Sequence, residues 1–75
     1  MQNEWLKKAT NMLKAELIRR GISYQQLQEM LAEIGVEETS NGINSKINRG
    51  TFSFAFFLQV AKAIGVKTLR LDEAD

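Results

Sequence analysis

Seventy-five residues without cysteine, histidine or proline make one domain, residues 1–75, near the small end of what folds alone; such a chain buries roughly 60% of its unfolded surface. The missing cysteines exclude disulfides and thiolate metal sites, and the missing histidines remove the commonest general base and zinc ligand, so no metal and no cofactor is expected. The net charge is only +1, but it is uneven: Asp72, Glu73 and Asp75 crowd the acidic tail, and over residues 1–71 ten bases face six acids, a body of +4.

No apolar run approaches a membrane span and the N-terminus lacks a signal-peptide pattern, so the chain reads as a cytoplasmic bacterial protein. Along the chain, Asn3 can cap a first helix running to about Arg20, with Trp5, Leu6, Ala9, Leu13 and Leu17 inward. Gly21-Ile22 closes it: glycine takes the left-handed conformation and the next apolar residue folds back on the last turn. Ser23-Tyr24-Gln25-Gln26 has the spacing of a capping box and opens a second helix to about Ile34, with Leu27, Met30, Leu31 and Ile34 inward. Gly35-Val36 closes that helix in the same way. Thr39 or Ser40 caps a third helix ending at Gly50. Gly42 within it costs up to ~1 kcal/mol relative to Ala, so this helix depends on packing of Ile43 and Ile47.

Ser53 caps a fourth helix to Ile64, with Phe54, Phe57, Leu58, Ala61 and Ile64 on its buried face, and Gly65-Val66 ends it. The alternation of Val66-Lys67-Thr68-Leu69-Arg70-Leu71 reads as extended, a short strand or a strap. The expected fold is all-α: a compact bundle of four to five short helices containing a helix-turn-helix, with a short extended C-terminal tail.

The third helix carries the chemistry. Ile43 and Ile47 lie on one side, while Asn41, Asn44, Ser45 and Asn48 fall on the other, flanked by Lys46 and Arg49, with no acid between Thr39 and Gly50. Amides can donate to and accept from a base edge, and cations meet phosphate, so nucleic acid is the leading candidate partner. The competing interpretation is a solvated face on an ordinary bundle. A short polar helix placed between a capped second helix and an apolar fourth is also the order in which a helix-turn-helix presents its second member to the DNA major groove.

Three stretches carry a family resemblance: Arg20-Gly21-Ile22-Ser23-Tyr24-Gln25-Gln26-Leu27, then Ile47-Asn48-Arg49-Gly50, then Ser53-Phe54 through Phe57-Leu58 with Val60-Ala61-Lys62-Ala63-Ile64-Gly65-Val66. Together they resemble the phage-repressor-like helix-turn-helix domains over residues 13–66. The whole chain is also similar to a small, functionally uncharacterised bacterial family sharing Gly-Val-Glu-Glu-Thr and Ala-Ile-Gly-Val-Lys-Thr-Leu-Arg-Leu. The first resemblance implies a small transcriptional regulator binding duplex DNA through its third helix, as a homodimer. Its DNA-facing set would be Tyr24, Gln25, Asn41, Asn44, Ser45 and Asn48, with Lys46 and Arg49 as backbone contacts. Three departures stand out: the path from Leu31 to Ile47 is about six residues longer than the family's, Gln28 replaces a small residue, and Glu37-Glu38 precede the third helix.

Phe52, Phe54, Phe56 and Phe57 fall within six residues. Phe56 points about 100° from Phe57, and with Phe52 and Val60 it would form an apolar patch, a dimer interface. The competing placement puts Phe56 under Trp5 or the C-terminal strap; Trp5 itself is expected in the core. A second function class follows from this patch: an adaptor or antitoxin-like protein-interaction module that binds no DNA. Catalysis is not expected, because Glu4, Glu16, Glu29 and Glu33 occupy ordinary solvent-face positions and the serines lack a base partner.

Overall fold

The computed structural model describes residues 2–69. It contains four helices, α1 (Gln2–Arg20), α2 (Tyr24–Glu33), α3 (Ser40–Arg49) and α4 (Phe54–Ile64), and no strand among the described residues. The all-α expectation holds. Residues 66–69 carry no regular structure, and the rest of the expected strap, with the acidic cluster, lies outside the described residues.

The helix ends follow the sequence closely. Ser23 Oγ accepts from Gln26 N at 3.1 Å while Gln26 Oε1 accepts from Ser23 N at 2.8 Å, which completes the capping box. Thr39 and Ser53 cap α3 and α4, and Gly21, Gly35, Gly50 and Gly65 all take positive φ. Gly42 falls at the third position of α3, where its N–H meets the Thr39 hydroxyl at 3.0 Å, so its cost is that of a helix end rather than an interior. The first cap differs from expectation: α1 already includes Asn3.

The core is built from residues spaced by four on each helix: Leu13 and Leu17, Leu27 and Leu31, Ile43 and Ile47, and Phe56, Val60 and Ile64. Each such burial contributes roughly 1.5–3 kcal/mol before the entropy of ordering is subtracted. α2 packs against both α3 and α4, and α1 packs against α3. Arg20 Nε reaches across to the Ile64 carbonyl at 3.2 Å and so satisfies a C-terminal acceptor of α4.

Two faces are turned from where the pattern puts them. In α4 the buried residues are Phe56, Val60 and Ile64, whereas Phe54 is 69% and Leu58 52% exposed. The inward face is rotated by about one residue, ~100°. The cause is that α4 is apolar at every position except Gln59 and Lys62, so hydrophobicity alone barely orients it; those two polar residues are both exposed and mark the outer side. The proposed dimer surface of Phe52, Phe56 and Val60 is therefore corrected. Phe56 and Val60 are core, and Phe52 is half-buried, packed 5.9 Å from the Phe56 ring. In α1 no residue from Asn3 to Met12 is buried; Trp5 is 71% exposed, with the Lys8 ammonium 5.2 Å above its ring. Ile34, expected inward, ends α2 as a 40% exposed cap residue.

Candidate nucleic-acid interface

α3 is held from three sides, and its polar stripe is what remains outside. Ile43 and Ile47 are fully buried under it. At its C-terminal end Gly50, with φ +74°, is itself buried against α1; a Cβ there would overlap the Leu6 carbonyl, whose carbon would lie 2.9 Å away. Both the left-handed backbone and the close approach require glycine. One turn along α1, the Thr10 hydroxyl donates to the Ile47 carbonyl, a second tie between α1 and the end of α3.

At the N-terminal end the six-residue connection from Ile34 to Thr39 replaces the tight turn of three or four residues that joins shorter helix pairs. Gly35 N and Val36 N bond back to Ala32 O and Leu31 O at 3.0 and 2.9 Å, so Val36 folds onto the core. Gln28 then bridges the two helices: its Oε1 accepts from Ser40 N at 2.8 Å. The long side chain at this position is what spans the longer connection, and it satisfies one of the four N–H groups that α3 would otherwise leave open.

Asn41, Asn44, Ser45 and Asn48 are all exposed, at the i, i+3, i+4, i+7 spacing of one helix face. Asn48 Nδ2 donates to the Asn44 carbonyl at 2.8 Å and to its side-chain oxygen, so these two amides form one unit. Arg49 is exposed at the end of the stripe. Lys46 is different. It pairs with Glu38, and its ammonium lies 4.9 Å over the Phe56 ring. The cation is therefore already engaged, with side-chain exposures of 43% for Lys46 and 19% for Glu38. Of the α2 candidates, Gln25 is exposed and Tyr24 is half-buried, its ring packed against the core.

The structure adds residues that the sequence reading missed. A groove of about 460 Å³ runs between α1 and the C-terminal end of α3, lined by Asn3, Leu6, Lys7, Thr10, Asn11, Lys14, Asn48 and Arg49. None of these is acidic. Lys14 also lines a neighbouring recess with Ser23 and Tyr24, so it stands between the α2 and α3 candidates. The signal was present in the sequence, in the spacing of Asn3, Lys7, Asn11 and Lys14 along one side of α1. What the sequence hid was that this side adjoins the end of α3.

On the opposite side, Ala9, Met12, Phe52, Phe54, Phe57 and Leu69 line an apolar groove of about 240 Å³. Among the described residues no cluster of acids suited to holding a metal occurs, and no helix is long and apolar enough to cross a membrane. No curated protein and no solved structure shows significant similarity to the chain. A family profile described as a domain of unknown function (DUF6471) matches residues 5–69, and the chain belongs to that family.

Proposed function

We propose that the protein is a DNA-binding regulator of the cytoplasm that lays the exposed face of α3 on duplex DNA. The observation that carries this reading is the stripe of Asn41, Asn44, Ser45 and Asn48, exposed, free of acids and ending in Arg49, on a helix whose opposite side is fixed in the core. From residue 41 to 48 the stripe spans ~10 Å of helix, about three base pairs at ~3.4 Å each. Asn41 and Asn44 carry exposed amides able to pair with adenine edges, each worth ~1–3 kcal/mol of discrimination when bidentate. Arg49 meets phosphate. The order of helices resembles the repressor-like domains, and that resemblance supports the reading.

The test is a fluorescence titration of labelled random duplex at two salt concentrations, with the parent and Arg49→Ala compared. Affinity that falls with salt, and a salt slope shallower by about 0.9 in the variant, support the assignment. Absence of any salt-dependent binding overturns it.

A protein-interaction module remains the second reading, and one feature favours it. Beside the exposed Gln59 and Lys62, α4 also carries exposed apolar side chains, Phe54 and Leu58, near the groove that Met12 and Phe57 line. Large apolar side chains exposed side by side mark a contact surface. In this reading the face pairs with a second copy of the chain, two-fold pairing being the commonest assembly, and α3 binds no DNA. Light scattering of Phe54→Glu against the parent decides it: a parent dimer reduced to monomer supports this face, and a monomeric parent rejects it.

A further inference from the structure

We infer that the groove between α1 and α3 is a track for a sugar–phosphate strand, gripped by Lys7, Lys14 and Arg49. The inference rests on the duplex-DNA reading of α3 and adds to it a second contact element, α1. Three cations border one recess whose lining contains no acid, and none of the three has an ion-pair partner among the described residues. Elsewhere on the described surface Arg19 and Arg20 share Glu16, and Lys46 holds Glu38. A recess lined by one sign of charge concentrates positive potential and draws in anions.

The shape suits a strand more than a compact anion. The groove's lining runs along α1 from Asn3 to Lys14, so its two lysines stand on different turns of the helix. Lys7 and Lys14 lie seven residues apart on the helix, ~10 Å along its axis. That separation lets each lysine meet a different phosphate of one strand. Asn11 is exposed between the two lysines and offers an amide donor to a phosphate oxygen. The groove is also continuous with the reading face, because Asn48 and Arg49 belong to both. At its other end Lys14 leads to the recess of Ser23 and Tyr24. α1 thereby joins the α2 and α3 candidates, which the chain order alone leaves on separate helices.

The experiment titrates a fluorescein-labelled random duplex across a salt series with the parent, Lys7→Gln/Lys14→Gln and Lys7→Arg/Lys14→Arg. Lysine, glutamine and arginine have close helix propensities, so all three proteins are expected to show the same helical circular dichroism. Losing two phosphate contacts makes the slope of log affinity on log salt shallower by about 1.8. Between about 50 and about 200 mM salt the parent then loses about 12-fold more affinity than the glutamine variant. The arginine variant keeps the parent's slope. If the parent binds duplex and the glutamine variant matches it in slope and affinity, the track is overturned while the α3 reading stands. If the parent binds no duplex at any salt, the α3 reading fails and the track fails with it.

Discussion

The two ends of α3 are built on opposite principles. At the N-terminal end the protein answers its own helix: Gln28 takes the Ser40 N–H, Thr39 takes the Gly42 N–H, and Glu38 lies over the first turn while pairing with Lys46. At the C-terminal end Gly50 and Thr10 fix the backbone to α1, and Arg49 faces a groove with Lys7 and Lys14. A helix N-terminus is ordinarily the end that attracts anions, through a partial charge of about +0.5 and its open N–H groups. Here a carboxylate and two side-chain oxygens already stand there. The C-terminal end carries the opposite partial charge, yet three full cations outweigh it. The positive charge at this end is carried by side chains, so it can be removed without unfolding the helix.

The largest effect comes from breaking the seat at the C-terminal end. Gly50→Ala forces a non-glycine residue to φ +74° and drives its Cβ into the Leu6 carbonyl. The left-handed backbone costs ~1–2 kcal/mol and the steric overlap about 1–3 kcal/mol. A loss of about 2–5 kcal/mol is expected, out of roughly 4–11 kcal/mol for a domain of this length. Urea denaturation measures it; a loss below about 1 kcal/mol would mean that α1 and α3 are not locked here.

The N-terminal end is expected to break more gently, because each tie there is a single hydrogen bond. Gln28→Ala leaves Ser40 N without its partner and costs about 1–2 kcal/mol. Thr39→Ala removes the cap and costs about 1 kcal/mol. At this domain size each kcal/mol lowers the melting temperature by roughly 4–8 °C. If Gln28→Ala melts with the parent, water replaces the bridge and the connection between α2 and α3 is held by Val36 alone.

This contrast also explains what the sequence could tell. Caps and glycine stops are local chemistry, encoded within four residues, and Ser23, Thr39, Ser53 and the four helix-ending glycines were legible as such. So were Ile43 and Ile47, because α3 is polar everywhere else and its two aliphatic residues leave no choice of inward face. α4 offers no such contrast. Nine apolar residues around one helix fit several rotations, and only tertiary packing selects Phe56 over Phe54. The same limit applies to the interface. The Asn and Ser stripe is a pattern within one helix and could be read directly. The groove unites residues 7, 14 and 49, and the Gln28 bridge spans twelve residues; these pairings exist only once the helices are packed.

The smallest stability effect carries the sharpest functional contrast. Glu38→Gln removes the carboxylate paired with Lys46 and leaves the Lys46 charge uncompensated among the described residues. The pair is partly exposed, so its loss costs about 0–1 kcal/mol, and the loss of an anion near the helix N-terminus adds at most a similar amount. Binding should move the other way. Lys46 becomes available to phosphate and a repelling charge leaves the reading helix, so duplex affinity rises and the salt slope steepens by about 0.9. A thermal melt and a salt titration on the same variant therefore test one claim: that Glu38 restrains DNA binding while modestly supporting the fold. If affinity instead drops together with the melting temperature, the pair serves to orient α3, and the N-terminal end belongs to the reading surface as much as the C-terminal end does.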